Sequence, residues 1–260
     1  MNRRDFTRIA PALALGASNM AAEPTKSCYV ELRTFKMHNS AENQSERTHA
    51  FLEKGARPAL ERNGIGPFGF FGSAFGEGSP SILTMVSFPS LAAMEKSKEA
   101  LAADKEYQSA RADYYAKPGG AFVSMECSLL RSFDGWPKVT PPPTEGRKST
   151  RIFELRTYQS ATPLTLARKI GMFNAGESAI FARLGMLPVF FGETIYGTKM
   201  PNLTYMLSYD DFVAREKLWS AFIGDPEFQK LRVQPGLSDA EIVANISNSM
   251  YQGLPFSPVR

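Results

Sequence analysis

The chain has 260 residues, a length that suits one large domain or two of ordinary size. Hydrophobic residues make up 43% and charged residues 22%, which excludes disorder or a coiled coil as a description of the whole chain. The formal net charge is only +4, and no apolar run approaches the roughly 20 residues of a membrane-spanning helix. We therefore predict no nucleic-acid partner and no stable membrane anchor.

Residues 1–22 have the composition of an export signal. Arg3 and Arg4 precede Phe6, and a weakly apolar, alanine-rich stretch of small residues follows. A charged start, a short apolar region and a small-residue cleavage zone are typical of a bacterial signal peptide, and the paired arginines resemble the twin-arginine type. We therefore expect the mature chain to work in the periplasm or outside the cell.

The rest of the chain contains two copies of one pattern. The segment Tyr29–Phe35 recurs as Ile152–Tyr158, and further identities follow at a nearly constant offset, among them a Phe-Phe-Gly motif at 70–72 and 190–192. A period this long indicates a duplicated domain and not a solenoid repeat. The predicted boundaries are 27–134 for the first unit, 135–150 for a proline-rich linker and 151–253 for the second unit.

Each copy predicts the element order β-α-β-β-α-β, because stretches of alternation and of helical spacing follow one another between turn-forming residues. The predicted elements are strands at 29–36, 67–75, 81–88 and 122–132, helices at 42–63, from 90 and from 104, and a last strand of the second copy at 241–251. Two antiparallel sheets, each with helices on one face, make an α+β protein of two tandem units.

Alternation along the first strand of each copy separates two faces. The faces are Val30, Leu32 and Thr34 against Tyr29, Glu31, Arg33 and Phe35 in the first copy, and Phe153, Leu155 and Thr157 against Ile152, Glu154, Arg156 and Tyr158 in the second. We assign the uncharged faces to the helix-covered side. The faces that hold a Glu and an Arg between large side chains are expected to meet each other, so that the two sheets close a barrel.

The strand motif E-L-R-T followed by an aromatic residue, the Phe-Gly of the second strand and the helix start Asp225–Gln229 resemble the NIPSNAP family. That family belongs to the dimeric α+β barrel superfamily of ferredoxin-like domains, and the resemblance covers nearly the whole mature chain as two tandem units. It implies a barrel of two sheets, closed within one chain or in a homodimer. It implies no particular reaction, because superfamily relatives include cofactor-free oxygenases, haem-dependent enzymes and small-molecule binders.

The candidate pocket or barrel-floor residues are Glu31, Arg33, Glu154 and Arg156, with Tyr29 and Tyr158 beside them. In a functional interpretation, Arg holds an anionic group of a substrate and Glu acts as a base once it is desolvated. In a structural interpretation, each Arg neutralises a Glu and keeps the sheets in register. The duplication favours the structural interpretation, because a catalytic site rarely needs two equal copies in one chain.

Other motifs are less informative about function. His38 and His49 could serve as haem ligands or in acid–base chemistry, but Ile170 replaces His49 in the second copy, which favours a place at the border of a helix–sheet core. Gly64–Gly69 fits G-x-G-x-x-G but follows a helix and precedes a strand, the reverse of the phosphate-binding order.

The two cysteines, Cys28 and Cys127, form one disulfide or stay as buried apolar residues. No spacing typical of a metal centre occurs, so no metal and no cofactor are predicted.

We therefore expect an exported protein that binds a small molecule or a protein partner in a barrel between two sheets. The alternative is a cofactor-free or haem-dependent oxygenase or isomerase. The sequence leaves open which ligand is bound, whether any reaction is catalysed, and whether the barrel closes within one chain or between two.

Overall fold

A computed structural model describes residues 27–39, 43–76, 78–147 and 149–260. The predicted export signal at 1–22 lies outside these residues. Within the described ranges, no helix is long and apolar enough to cross a membrane.

Both units have the predicted order of elements, and the fold class is α+β with two tandem ferredoxin-like units. The strands are β1 (Tyr29–Lys36), β2 (Phe68–Phe75), β3 (Ser81–Phe88) and β4 (Ser124–Ser132) in the first unit, and β5 (Ile152–Gln159), β6 (Pro188–Tyr196), β7 (Asn202–Tyr209) and β8 (Asn245–Gly253) in the second. The helices are α1 (Gln44–Phe51), α2 (Arg57–Arg62), α3 (Leu91–Ala103) and α4 (Lys105–Ala116), followed by α5 (Pro163–Met172), α6 (Ser178–Leu184), α7 (Phe212–Gly224), α8 (Pro226–Arg232) and α9 (Asp239–Ile242).

A π-helical turn interrupts the first long helix of each unit, where the sequence predicts one continuous helix. Leu52–Ala56 separates α1 from α2, and Phe173–Glu177 separates α5 from α6. Gly176 has a φ of 157°, a conformation that favours glycine. A side chain at Gly55 would lie 2.8 Å from the Cβ of Ala110, so this glycine lets α4 pack closely. Leu52 and Ala56 of the first segment, and Phe173 and Glu177 of the second, are buried.

The last strand begins later than predicted, because residues 239–242 form the short helix α9. Ser238 and Glu241 make a capping box at its start, with 2.6 Å between the hydroxyl and the carboxylate. The S-x-x-E spacing that marks such a helix start is present in the sequence, so this element was predictable.

The described strands form one closed barrel in the order β1-β3-β2-β8-β5-β7-β6-β4. The sheets of the two units meet at two seams, where β2 pairs with β8 and β4 pairs with β6. Each of these strands therefore has two neighbours, which satisfies the backbone groups that an edge would expose. The barrel closes within one chain, and the predicted homodimer stays a prediction.

The two faces of each sheet are reversed relative to our assignment. The cluster of buried side chains inside the barrel draws on both units and includes Val30, Leu32 and Phe153. The other face packs against helices, as Phe35 does beside Leu52. The assignment of the candidate residues to the barrel floor is therefore wrong. Because side chains alternate along a strand, the candidate residues lie on the helix-covered side. They are Tyr29, Glu31, Arg33, Glu154, Arg156 and Tyr158.

The reversal has a physical reason. Both faces of each sheet are covered, so apolar content alone does not show which face meets the helices. The charged side chains find their partners on the helices, because α7 contributes Arg215 and α3 contributes Lys98. Buried charges need such partners, and this requirement places Glu31 and Glu154 on the helix side.

Equivalent segments after β4 and β8 close one end of the barrel. The amide of Phe133 donates to the carbonyl of Phe191 at 3.1 Å, and the amide of Leu254 donates to the carbonyl of Phe70 at 2.9 Å. Val139 is buried within the barrel cluster. The first part of the predicted linker at 135–150 is thus packed structure and not a spacer.

The strand register corrects the match between the Phe-Phe-Gly motifs by one residue. Phe70 lies opposite Thr84, and Phe191 lies opposite Tyr205. Because a register shift near the start of β6 adds one residue there, Phe70 corresponds to Phe191 and both face the helices.

Gly192 allows β6 to approach β4 at one seam, and its replacement by valine tests the closure. A Cβ at Gly192 would lie 2.9 Å from the Cβ of Leu130 and 3.2 Å from the carbonyl oxygen of Arg131. We expect Gly192→Val to lower the free energy of unfolding by about 1–3 kcal/mol in urea denaturation.

Gly171→Ala is the matched control, because nothing lies within 4 Å of a Cβ at that helical position. Alanine there should leave stability unchanged or raise it by up to about 1 kcal/mol. A Gly192→Val variant as stable as this control would contradict the close packing of the seam.

Candidate ligand-binding cleft

In the second unit, the carboxylate of Glu154 is completely buried and hydrogen-bonded on all sides. It accepts hydrogen bonds from Arg156 at 2.8 Å, from Arg215 at 2.6 and 2.9 Å, from the Trp219 indole at 2.9 Å and from the Tyr209 hydroxyl at 3.2 Å. Burial alone would raise the pKa of Glu154, but the arginines lower it overall. The charged carboxylate therefore contributes stability near neutral pH, which is lost as the pH falls through its depressed pKa.

Aromatic rings fill the remaining space between this sheet and its helices. Arg156 donates to the hydroxyl of Tyr158 at 3.0 Å, and its guanidinium lies 4.3 Å from the ring of Trp219. The Tyr205 hydroxyl donates to that of Tyr158 at 2.9 Å. The rings buried here include Phe173, Phe181, Phe191 and Phe222. The Glu154–Arg156 pair is therefore enclosed between its sheet and helices, and not between the two sheets, where we expected it to keep the register.

A second buried ion pair stands beside this cluster. Lys169 Nζ lies 3.2 Å from Glu177 Oε2 and 3.2 Å from Asp239 Oδ1. Burial raises the pKa of Glu177, whereas the pKa of Lys169 is raised by the two carboxylates against the effect of burial. Sequence reasoning missed this pair, because each residue resembles an ordinary solvated charge on a helix.

In the first unit, smaller side chains stand at several of the equivalent positions. The register of the strands and the shared bounds of the helices define the equivalences. In the first unit Thr84 replaces Tyr205, Leu52 replaces Phe173, Ala56 replaces Glu177, Leu60 replaces Phe181 and Lys98 replaces Trp219. Large side chains fill this space in the second unit. In the first unit the same space is a cleft of about 660 Å³, and part of this volume is open solvent.

The cleft has apolar walls and a charged end. Phe35, Phe51 and Phe70 contribute aromatic surface, and aliphatic side chains complete the walls. At the charged end, Arg33 lies 2.8 Å from Glu31, and Lys98 Nζ lies 3.9 Å from the same carboxylate. Burial alone would lower the pKa of Arg33, but Glu31 raises it. Two cations facing one carboxylate leave this end with one net positive charge.

The two Glu–Arg pairs thus differ in exposure. The Arg33 side chain is 37% exposed, against 11% for Arg156. Tyr158 belongs to the filled core of the second unit, and Tyr29 is half-buried at the start of β1, outside the lining of the cleft. The structure therefore brings Glu31 and Arg33 to an accessible site and encloses Glu154 and Arg156.

An outer chamber continues the cleft along α4. The two share Arg33 and Tyr107, and the chamber adds Arg111, Tyr114 and Tyr115. Burial raises the pKa of the Tyr107 and Tyr114 phenols, so both remain hydrogen-bond donors at neutral pH.

Arg47 holds this wall in place. Its guanidinium donates to the Tyr114 carbonyl at 2.8 Å and to the carbonyls of Pro118 and Gly119 at 3.3 Å. These carbonyls end α4 and begin the next loop, so a cation satisfies acceptors that a helix terminus leaves open. Arg168, the equivalent residue of the second unit, is exposed.

The other candidate residues lie elsewhere. His49 is half-buried with its ring 6.5 Å from that of Phe256, and burial lowers its pKa. Cys28 and Cys127 are free, because Cys28 points into the barrel cluster while Cys127 lies opposite Arg33 on the helix side. Among the described residues, no group of His, Cys, Asp and Glu could hold a metal ion.

The unequal roles of the two carboxylates predict unequal effects of the same substitution. Glu154→Gln leaves Arg156 and Arg215 without their buried counter-ion, so we expect a loss of about 3 kcal/mol or more in urea denaturation. Glu31→Gln is the matched control, and we expect a loss below about 1 kcal/mol because solvent reaches its partners. Equal losses would contradict the division into a structural pair and an accessible one.

Solved structures with a similar fold cover nearly the whole chain. A candidate monooxygenase from Lactobacillus acidophilus matches with a TM-score of 0.58 and 8% identity, over 87% of this chain and 93% of that one. A second candidate monooxygenase, from Fusobacterium nucleatum, matches with a TM-score of 0.56 and 9% identity, over 88% and 93%. A chlorite dismutase variant from Candidatus Nitrospira defluvii has a TM-score of 0.50 and 9% identity, over 89% and 92%. At these identities the likeness shows the dimeric α+β barrel fold alone.

The curated proteins contain no match to this chain. The sequence model of one family, NIPSNAP, matches twice, at residues 30–134 and 153–258. The two matches coincide with the two ferredoxin-like units of the structure, and the chain therefore belongs to the NIPSNAP family.

Proposed function

We propose that the protein binds a small molecule with an apolar or aromatic body and one anionic group in the cleft of the first unit. The observation that carries this proposal is the unequal filling of a duplicated core. The side chains that fill the second unit are replaced by smaller ones at equivalent positions of the first, around the same Glu–Arg motif.

The dimensions and chemistry of the cleft support a small ligand. The volume that a water-sized molecule can occupy in the cleft is about 100 Å³, below the roughly 300–1,000 Å³ of typical ligand pockets, which limits the ligand to a small one. The apolar walls of the cleft favour an apolar body, because about 25 cal/mol is gained for each Å² of apolar surface removed from water. The planar guanidinium of Arg33 suits a carboxylate or sulfonate, and Lys98 adds a second cation.

An oxygenase of the barrel superfamily is the alternative, and it has less support. The candidate monooxygenases share the fold with this chain at 8–9% identity, which does not extend to a site. A histidine-held haem does not fit this cleft, because neither His38 nor His49 is among the described residues that line the cleft or its outer chamber. We therefore propose a binding function and assign no reaction to the protein.

Anilinonaphthalene sulfonate is a suitable probe of the cleft, because it joins an aromatic body to one sulfonate. We expect saturable fluorescence enhancement with the wild-type protein and about tenfold weaker binding by Arg33→Met, since one charge-assisted hydrogen bond is lost. The double variant Leu52→Phe/Thr84→Tyr restores the residues of the second unit and should abolish binding by filling the space.

Leu91→Phe is the matched control, because it makes the same enlargement at an exposed position of α3 outside the cleft. Thermal unfolding of each variant shows whether the fold is retained. Unchanged binding by a folded Leu52→Phe/Thr84→Tyr variant would contradict the proposal. Native mass spectrometry of the wild-type protein from its own host then identifies a retained ligand.

We further propose that the chain is exported by the twin-arginine route. The support is the order of Arg3, Arg4 and Phe6 before a weakly apolar stretch. Arg3→Lys/Arg4→Lys should keep the protein in the cytoplasm in cell fractionation, whereas Arg8→Lys should be exported normally. Export of the double variant would exclude this route.

A further inference from the structure

The first unit differs from the second in one of its walls as well as in its filling. Helix α4 has 12 residues and its counterpart α8 has 7, and both begin after a capping aspartate, which fixes the match between them. Tyr107 therefore corresponds to Phe228, and the additional residues of α4 include Tyr114 and Tyr115. This part of the wall of the outer chamber has no helical counterpart in the second unit.

The cleft and the outer chamber form one continuous space. Arg33, Phe51 and Tyr107 line both, so these residues stand where the two cavities meet. A water-sized molecule can occupy about 340 Å³ of the chamber, against about 100 Å³ of the cleft. The chamber thus reaches the roughly 300–1,000 Å³ of typical ligand pockets. A ligand whose body enters the cleft has room to extend past Arg33 into the chamber.

The joined space carries two net positive charges. Among the described residues that line it, the cations are Arg33, Lys98 and Arg111, and Glu31 is the one carboxylate. Arg33 and Lys98 both face Glu31, whereas the exposed Arg111 forms no ion pair within the described part of the chain. Its guanidinium lies 5.9 Å from the centre of the Tyr115 ring. Two excess positive charges favour a ligand with two negative charges.

The phenol of Tyr107 lies near both arginines and offers a hydrogen bond. Burial raises the pKa of Tyr107, although Arg111 and Arg33 act in the opposite direction, so the phenol keeps its proton at neutral pH. Its hydroxyl has no hydrogen-bond partner among the residues that the structure describes. Phe228, the counterpart of Tyr107, has no hydroxyl group, and its ring packs 4.1 Å from that of Phe222. The hydroxyl of Tyr107 therefore suits an acceptor oxygen of a ligand.

We propose that the joined cleft and chamber bind an aryl or acyl dicarboxylate. Its apolar body enters the cleft, its first carboxylate binds Arg33 and its second binds Arg111, because a planar guanidinium matches a carboxylate. Tyr107 and Arg111 are one turn apart on α4, about 6 Å along the helix axis, so a short carbon chain separates the two carboxylates. The inference rests on the binding function proposed for the cleft, and it adds the second acidic group and the residue that recognises it.

N-benzoyl-L-glutamate is a suitable probe, and N-benzoyl-L-glutamine is its matched control because only the second charge differs. In isothermal titration calorimetry we expect saturable binding of the glutamate compound and about tenfold weaker binding of the glutamine compound. Arg111→Met should weaken binding of the glutamate compound by about tenfold and leave that of the glutamine compound nearly unchanged, so that the difference between them disappears.

Lys105→Met is the matched control for Arg111→Met, because it removes one exposed positive charge from α4 outside both cavities. This variant should keep the preference for the glutamate compound. Tyr107→Phe introduces the residue of the second unit and should weaken binding of both compounds by about fivefold, since one hydrogen bond is lost. Thermal unfolding shows that each variant retains the fold.

Three results would overturn the inference. They are equal affinity of the wild-type protein for the two compounds, an unchanged preference in Arg111→Met, and no saturable binding of either compound. The variant Leu52→Phe/Thr84→Tyr should lose the glutamate compound, and wild-type affinity in this variant would place the benzoyl group outside the cleft, which equally excludes the inference.

Anilinonaphthalene sulfonate, with its single negative charge, separates this inference from the proposed function of the cleft. If it binds in a manner that depends on Arg33 while the two benzoyl compounds bind equally or not at all, the cleft keeps its function and the second acidic group is excluded. If neither the sulfonate nor the benzoyl compounds bind, both proposals fail.

Discussion

Because the barrel closes within one chain, the strands β1, β3, β5 and β7 must cover both faces, one against helices and the other against the barrel interior. Most other features of the molecule follow from this requirement. The segments after β4 and β8 must fold back to fill one end, and Val139 and Val259 do so. Charged side chains of β1 and β5 must lie where helices supply counter-ions, which is the outer side.

The duplication allows the two outer sides to differ. In the second unit, five hydrogen bonds to Glu154 and a layer of aromatic rings make a filled core. Replacing large core side chains by small ones ordinarily costs about 2–5 kcal/mol each, unless the space is filled again. The first unit carries several such replacements around Arg33, and both seams of the barrel join its sheet to that of the filled second unit.

The sequence was sufficient for the features that the two copies share. The repeated E-L-R-T strand and the turn-forming residues predicted the element order, the two units and the family. It was insufficient where a feature depends on which face is covered, because Val30 and Leu32 suit either side of a doubly covered sheet. The cleft was missed for another reason: it is defined by differences between the copies, such as Thr84 for Tyr205, while the comparison of copies looked for identities. A comparison of side-chain volume at matched positions would have indicated the hollow unit.

The same duplication explains why two cavities of unlike chemistry lie so close together. Where the copies differ in size, the result is an apolar cleft, and where both carry a threonine that faces inward, as at Thr34 and Thr157, the result is a polar cavity at one end of the barrel. Strand β1 borders both, because Glu31 and Arg33 face the cleft while Thr34 and Lys36 face this polar cavity. Alternation along a strand fixes these two sets to opposite sides. The same strand thus contributes to both cavities, with its charged pair on the side where the helix α3 supplies Lys98.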